Sequence, residues 1–287
     1  MDFDRCDLCG AHATDFILST PRLEGPLVRC RECSLYFVSV NGAKTEASDL
    51  MDRLSERALE LDLVDPNVEQ RERPWRELAA RERVEDLLRF VKGGKLLEVG
   101  SSTGELLLAA QGYFDILGIE ADRASSDVAR NRGVDCLTGS IPELQIDRGP
   151  FDVIALYHTI EHVPSPRKVL TEAHRLLKHD GCLVLETPKI DNVWFRVLGP
   201  RWRQFIPDHR YFFSKETILR LLRESGFEVK DMRSVGKAMS ARLFASRLGR
   251  YHRGLGHVVT RASYRLGIED RTLRLNLGDV MRVYARK

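Results

Sequence analysis

The 287-residue sequence lacks the features that mark membrane proteins and most nucleic-acid-binding proteins. No apolar run approaches the length of a membrane span, and no basic leader with an apolar core opens the chain. The formal net charge of +3 is too small to indicate a nucleic-acid partner by itself. Hydrophobic residues make up 43% and charged residues 30%, which is typical of globular proteins. We therefore expect a cytoplasmic protein with one substantial domain and room for a small one.

Cysteine is rare outside one short segment, and its distribution indicates a metal site. Four of the six cysteines lie within the first 33 residues. Cys6 and Cys9 form one C-x2-C pair, and Cys30 and Cys33 form another after twenty intervening residues. Without a secretory leader, this spacing favours a closed structural Zn2+ site over disulfides or unligated thiols. The sequence predicts a zinc-ribbon module over residues 1–43 that depends on the ion for much of its stability.

A charged segment with helical spacing, residues 44–92, follows this module. In its second half, apolar residues recur every three or four positions, and Pro74 and Gly93-Gly94 bound the predicted helix. We expect a helical linker that packs on the following domain, residues 93–287.

Two common phosphate-binding motifs are missing from the glycine-rich turn that follows the next strand. The run KLLEVGSSTGELLLAA predicts a strand over 95–99, a turn over 100–104 and a helix from residue 105. It contains neither G-x-G-x-x-G nor G-K-[ST]. A second predicted strand ends at Glu120, whose carboxylate can accept hydrogen bonds from both hydroxyls of a ribose. These elements indicate half of a doubly wound sheet with a ligand crevice at the carboxyl ends of its strands.

The stretch HTIEH, His158 to His162, matches the H-x-x-E-H ligand pattern of inverted zinc metalloproteases. That pattern requires a helix that places both histidines on one face. Here an apolar strand over 153–157 precedes the motif, and Pro164 and Pro166 follow it. The motif is therefore predicted at a strand end and the loop after it, which excludes the protease interpretation.

The segment EVGSSTG resembles the E/D-x-G-x-G-x-G loop of class I S-adenosylmethionine-dependent methyltransferases. FDVIALYHTIEHVPSP and DHRYFF resemble segments of the ubiquinone-biosynthesis O-methyltransferases, and the likeness covers roughly residues 75–287. The resemblance implies an α/β fold, a doubly wound, Rossmann-like methyltransferase sheet of seven strands. It also implies S-adenosylmethionine as the cofactor, held by Glu98, Gly100, Ser102, Gly104, Glu120, Ser140, Ile141 and Tyr157.

Two of these positions depart from the family pattern. Ser102 replaces the middle glycine of the turn, and we expect it to fit with a negative φ. Ser140 stands where the family often has an acidic residue, so the backbone amides of Ser140 and Ile141 are expected to recognise the adenine.

The resemblance places the loop after the fourth core strand beside the transferable methyl group. A hydroxyl acceptor needs a base, and His158, His162 and His209 are the candidates because histidine titrates near neutrality. A structural role is the alternative for His162. Some relatives hold a divalent ion with a Glu and a His at the positions of Glu161 and His162, together with an acidic pair. In this sequence Tyr157-His158 replaces the acidic pair, which weakens the case for a catalytic metal.

Two further segments are unusual. Aromatic residues crowd residues 190–213, which indicates a lid over the acceptor or, alternatively, a core-filling segment. A basic helical insertion is predicted near 238–272, because Arg242–Arg265 contains six arginines and no acidic residue. We expect its apolar stripe to pack over the core; the alternative is contact with an anionic lipid surface or a phosphate-bearing carrier. The stripe consists of Phe244, Leu248, Tyr251, Leu255, Val258, Ala262 and Leu266.

The predicted function is methylation of a small molecule, on oxygen, in a specialised natural-product, quinone or sugar pathway. A nucleic-acid acceptor is disfavoured. A zinc-ribbon rRNA base methyltransferase and a non-catalytic binding module with the same fold are the alternatives, and the oligomeric state stays open.

Overall fold

The computed structural model describes residues 5–39, 72–249 and 253–287. The strands of these ranges are β1 Thr14–Leu18, β2 Leu27–Cys30, β3 Tyr36–Val38, β4 Gly94–Val99, β5 Phe114–Glu120, β6 Cys136–Thr138, β7 Phe151–Tyr157, β8 Leu177–Pro188, β9 Tyr211–Phe212, β10 Glu228–Ser234, β11 Lys237–Ser240, β12 Thr272–Leu275 and β13 Val280–Arg286. The α-helices are α1 Arg73–Leu87, α2 Glu105–Ala110, α3 Arg123–Asn131, α4 Pro166–Leu176, α5 Val193–Leu198, α6 Lys215–Glu224, α7 Ala241–Gly249 and α8 Arg253–Arg265. No helix in these ranges is long and apolar enough to cross a membrane.

The central sheet has seven strands in the order β10-β13-β8-β7-β4-β5-β6. The five strands from β8 to β6 are parallel, and β13 runs antiparallel between β8 and β10. The chain leaves β4 towards β5 on one side and later returns to β7 on the other. This reversal opens a crevice at the carboxyl ends of β4 and β7. The predicted seven-stranded, doubly wound sheet is confirmed.

Apolar runs form the inner strands because both of their faces are covered. Most of β4 and all of β7 except Asp152 are buried. The prolines after β7 act as predicted: the loop continues to Ser165, which caps α4, and Pro166 begins that helix. The HTIEH stretch is therefore a strand end and a loop.

A second, four-stranded sheet joins the N-terminal segment to the domain. Its order is β1-β2-β3-β9, so one edge strand of this sheet, β9, comes from the methyltransferase-like domain that follows the N-terminal segment in sequence. Trp202, Phe205 and Phe212 are buried in one cluster with apolar residues of β2 and β3. These aromatic side chains of the 190–213 segment fill a core, which was the alternative for this segment.

Residues 235–279 form an insertion between β10 and β13, which are neighbours in the sheet. The antiparallel pair of β11 and β12 forms its base, and α7 and α8, which connect these two strands, pack against each other. The expectation that the apolar stripe packs over the core is wrong for α8 and the turn after it, where Val258 is 65% and Leu266 69% exposed. Phe244 and Leu248 of α7 are half-buried, Tyr251 lies outside the described residues, and α8 meets α7 through Gly256 instead.

Candidate active site

The glycine turn after β4 lies directly against the loop after β7. Gly100 has a φ of +75°, and a Cβ there would overlap the Thr159 hydroxyl. That hydroxyl donates a 2.9 Å hydrogen bond to the carbonyl oxygen of Val99. Gly104 has a φ of +82° and begins α2, where a Cβ would lie 2.9 Å from a methyl of Val134. Only glycine fits at either position, so the turn approaches the crevice as bare backbone.

Ser102 adopts a φ of +48°, so the expected negative φ is wrong. This left-handed conformation costs a non-glycine residue about 1–2 kcal/mol. Glu120 offsets the cost, because its Oε2 accepts a 2.7 Å hydrogen bond from the Ser102 N–H. Its Oε1 accepts a 2.9 Å bond from the Asp122 N–H. The two bonds fix the carboxylate at the carboxyl end of β5, with lone pairs left for a ligand.

Glu98 and the loop after β6 carry polar groups that no described residue satisfies. Glu98 is buried, its Oε2 has no hydrogen-bond partner among the described residues, and burial raises its pKa well above the ordinary value. The N–H groups of Ser140 and Ile141 also donate to none of the described residues. Buried polar atoms are normally paired, so these groups suit a polar ligand in the crevice.

His158 lies between two buried carboxylates just beyond the end of β7. Its Nδ1 is 3.3 Å from Glu161 Oε1, and its Nε2 is 3.0 Å from Glu186 Oε1. Its φ of +55° turns the chain sharply at this point. The other oxygen of Glu161 accepts a 2.9 Å hydrogen bond from the Thr187 hydroxyl. Burial opposes ionisation of Glu161, but the hydrogen bond from His158 and the nearby His162 and His209 lower its pKa to about 2.

His162 is held by Asp208 in the loop that precedes β9. Its Nδ1 is 3.1 Å from the carboxylate oxygen Oδ2 and 3.1 Å from the carbonyl oxygen of Asp208. Burial opposes protonation of this ring, but the Asp208 carboxylate dominates and raises the pKa of His162 to about 9. The imidazole is therefore a cation at neutral pH.

His209 lies against His162 in an edge-to-face contact with 4.6 Å between the ring centroids. Burial and the positive charge of His162 lower the pKa of His209 to about 4. The ring is neutral at physiological pH, and its Nδ1 has no hydrogen-bond partner among the described residues. The Nε2 of His158 also has no hydrogen bond among the described residues, but it lies 3.0 Å from the Glu186 carboxylate, whereas the Nδ1 of His209 has no such neighbour.

Glu161, His162 and His209 are close enough for a metal ion, since their ligand atoms lie within 4.8 Å of one another. The Nδ1 of His162 is held by the Asp208 carboxylate, which is the usual support of a metal-ligating imidazole, so an ion bound here would displace the second proton of His162.

A second charge network surrounds Glu186, which sequence reasoning did not select. The Arg83 guanidinium donates to Oε1 at 2.6 Å, and the Arg282 guanidinium donates to Oε2. Arg83 also lies over the Tyr157 ring, 4.4 Å from its centroid. The Tyr157 hydroxyl is buried without a partner among the described residues, and burial raises its pKa. This network forms the wall of the crevice beside His158.

The four N-terminal cysteines converge at one point. Their sulfur atoms lie within 4.8 Å of one another, with 3.3 Å between Cys6 and Cys33 and 3.5 Å between Cys9 and Cys30. A tetrahedral Zn2+ bound at about 2.3 Å places its sulfurs in this range. The four thiols therefore fit a closed structural site.

Residues 67–231 match the sequence profile of a protein family described as a methyltransferase domain. The match spans more than half of the chain and includes the glycine turn, Glu120 and the HTIEH loop. The protein belongs to this family. It is an S-adenosylmethionine-dependent methyltransferase, as the class I resemblance predicts.

Relatives and solved structures agree with this membership. The ubiquinone biosynthesis O-methyltransferase of Pseudomonas aeruginosa is 34% identical over 157 residues, which cover 49% of this chain and 67% of that protein. An uncharacterised protein of Methanocaldococcus jannaschii is 23% identical over 154 residues, 53% of this chain and 73% of that protein. A methyltransferase structure from Thermotoga maritima aligns with a TM-score of 0.54 at 22% identity, covering 84% of this chain and all of that one. The last comparison shows the shared fold.

The crevice fits the family's methyl donor. The unpartnered Glu98 oxygen suits an ammonium, the fixed Glu120 carboxylate suits two ribose hydroxyls, and the amides of Ser140 and Ile141 suit an adenine. S-adenosylmethionine supplies an electrophilic methyl group when bound.

The structure brings most of the predicted site residues to the carboxyl edge of the sheet. Asp208, Glu186 and Arg83 were missed. Asp208 stands next to His209 in the DHRYFF segment, so adjacency could have indicated it. Arg83 belongs to a charged helix whose polar residues would all be expected to face solvent. No local signal in the sequence distinguishes Arg83 from the other charged residues of that helix.

Proposed function

We propose that this methyltransferase transfers a methyl group to a hydroxyl oxygen of a small-molecule acceptor in a specialised biosynthetic pathway, with His209 as the proton acceptor. One observation carries the proposal: His209, which packs against His162 of the loop after β7, is a buried, neutral imidazole with an unpartnered Nδ1. The name of the Pseudomonas aeruginosa relative, an O-methyltransferase of 34% identity, supports an oxygen acceptor.

The roles of the other two histidines follow from their charges. His162, held as a cation by Asp208, cannot accept a proton at neutral pH, so it orients His209 and balances Glu161. His158 bridges Glu161 and Glu186 and fixes the loop between the two charge networks. The base candidate is therefore narrowed to His209, while His162 and His158 are positioning residues.

We also propose one structural zinc ion at Cys6, Cys9, Cys30 and Cys33. Two observations support it: the four sulfurs converge, and both C-x2-C turns have the same backbone form. The Gly10 N–H donates to the Cys6 carbonyl, and the Ser34 N–H donates to the Cys30 carbonyl. Gly10 and Ser34 both have a positive φ.

The proton-acceptor role is tested by measuring S-adenosylhomocysteine formation with a panel of phenols, catechols and hydroxylated sugars. For an acceptor that is turned over, His209→Ala should lower kcat roughly 100-fold or more while cofactor affinity stays within about twofold. His179→Ala is the control, because His179 is a surface histidine paired with Asp180. Unchanged turnover in His209→Ala would overturn the base assignment. Methylation of amine or carbon acceptors alone would overturn oxygen as the attacked atom.

A further inference from the structure

Lys237 lies at the same edge of the sheet as the cluster after β7. It begins β11 three residues after the end of β10, and its cross-strand partner is Leu275. The end of β10 and the end of β8 both pair with the start of β13, at Met281 and Val280. The base of the insertion therefore places the start of β11, with Lys237, at the carboxyl edge of the sheet.

Several arginines converge on the same region. The charges of Arg83, Arg247 and Arg203 each act on Lys237. Arg247 reaches back from α7, with its Nη1 3.9 Å from the sulfur of Met239. Because Lys237 and Met239 are two residues apart on β11, they share one face of the strand. The wall of the crevice on this side is positively charged.

The carboxylates of this wall already have partners. Glu186 accepts hydrogen bonds from Arg83 and Arg282, and Asp279 accepts a two-bond contact from Arg203. The Lys237 ammonium has neither a hydrogen bond nor an ion pair with any of the residues 5–39, 72–249 and 253–287. Its positive charge is therefore not balanced by a carboxylate of this wall.

This surplus charge is unfavourable in the protein alone. Burial, together with the charges of Arg83, Arg247 and Arg203, lowers the pKa of Lys237 to about 8, although the Glu186 carboxylate acts in the opposite direction. A partly buried ammonium without a counter-ion is the setting in which an incoming anion gains most. The Lys237 ammonium is thus suited to bind a negatively charged group on a ligand.

We propose that the methyl acceptor is an anion, and that Lys237 binds its phosphate or carboxylate group at the crevice wall formed with Arg83 and Arg247. The inference rests on the proposed function, because it makes this wall part of the acceptor site. It selects anionic acceptors over neutral phenols and sugars, and it gives the insertion a role in substrate selection.

The test uses the full chain saturated with S-adenosylhomocysteine, whose binding is first measured by calorimetry. Lysines are acetylated briefly with acetic anhydride and the modification of Lys237 is measured by mass spectrometry, without an anion and with inorganic pyrophosphate or malonate. At ten times its dissociation constant, a bound anion should slow acetylation of Lys237 roughly tenfold. Lys230 is the internal control, since it is an exposed lysine of β10 paired with Glu228. Stronger protection by pyrophosphate indicates a phosphate acceptor, and stronger protection by malonate indicates a carboxylate acceptor.

The matched variants are Lys237→Met and Lys230→Met. Lys237→Met should weaken anion binding roughly tenfold or more, because a charged hydrogen-bond partner is lost, while Lys230→Met should bind as the wild type does. No protection of Lys237 by either anion in the millimolar range, or unchanged binding in Lys237→Met, overturns the inference. If S-adenosylhomocysteine itself fails to bind, the proposed function falls; if it binds and the anions do not, the anionic acceptor alone falls.

Discussion

The His162 ring is held twice by Asp208, once by the carboxylate and once by the backbone carbonyl oxygen of the same residue. This double contact keeps His162 protonated beside a histidine that is kept neutral. The centroids of the two imidazoles are 4.6 Å apart, yet at pH 7 His162 is a cation and His209 is neutral. Such separation of pKa values is how one site can contain both a cation and a base.

Asp208→Asn should lower the pKa of His162 by about one unit or more, because the carboxylate is the main group that raises it. In the wild type, the raised pKa contributes stability that is fully present below the ordinary histidine value. This stability is lost as the pH rises through about 9. Asp208→Asn should lose about 1–3 kcal/mol of unfolding free energy at pH 6 and much less at pH 9.5.

Urea unfolding at both pH values, with NMR titration of the histidine Cε1 resonances, measures these effects. Asp180→Asn is the matched control, because Asp180 pairs with the exposed His179. An equal loss of stability at both pH values would show that Asp208 acts through packing rather than through the charge of His162.

Zinc removal should affect acceptor turnover more than cofactor binding. The Asp7 carboxylate accepts hydrogen bonds from the Ser165 hydroxyl and the Arg167 N–H at the start of α4, and β3 pairs with β9 just after His209. The module thus supports both loops of the histidine cluster. Loss of the ion should release them while the glycine turn and Glu120 keep their places.

Cys30→Ser tests this expectation. Elemental analysis should find one zinc per wild-type chain and little in Cys30→Ser, and the variant should bind S-adenosylhomocysteine within about threefold of the wild type while turnover falls at least about tenfold. Cys182→Ala is the control, because Cys182 is a buried thiol of β8. Freshly purified wild type without zinc, or Cys30→Ser with full zinc, would contradict the site.

Glu120→Ala should weaken S-adenosylmethionine binding by about 1–3 kcal/mol, since it removes a charged acceptor of ligand hydrogen bonds. The same change also removes the partner of the strained Ser102, so part of the loss comes from the turn. Calorimetry with Ser102→Gly in both backgrounds separates the two contributions. Asp127→Ala, at a surface ion pair of α3, is the control. An affinity unchanged in Glu120→Ala would remove the ribose assignment.

The insertion should bind anionic membranes weakly if its exposed helix face is a contact surface. Val258 of α8 and Leu266 just after it are exposed, and Arg261 and Arg265 share the exposed face of that helix. Co-sedimentation with vesicles rich in phosphatidylglycerol should show binding at low salt that is lost at high salt. Val258→Asp should reduce the bound fraction, whereas Val128→Asp, an exposed valine of α3, should not. Absence of binding at low salt rules out the lipid contact.

Local signals in the sequence place the residues that are predicted to bind the cofactor. The turn from Gly100 to Gly104 lies between a buried strand and a helix, and Glu120 ends the next strand, so short-range pattern fixes their places. The φ of Ser102 was predicted wrongly, because the compensating hydrogen bond comes from Glu120, eighteen residues later. Backbone conformation at that position depends on a tertiary contact.

The acceptor half depends on contacts between distant segments. Arg83 meets Glu186 across 103 residues, and Lys237 is brought to the same wall by an insertion whose position against the sheet no periodicity predicts. Likewise, the exposure of Val258 follows from how α8 meets α7 through Gly256, which an apolar stripe cannot show. A sequence shows which residues are charged, but the fold determines which of these charged residues lie close together.

The pairing of Tyr36 with Phe212 has a consequence for how the chain is made. A ribosome delivers β3 about 175 residues before β9, and at about 5–20 residues per second this interval lasts roughly 10–35 s. Throughout that time β3 is an open edge, which invites pairing with the wrong strand. A metal bound early by the two C-x2-C turns would hold β1, β2 and β3 in register while the rest of the chain is synthesised. The catalytic domain would then be completed on a template that is already folded.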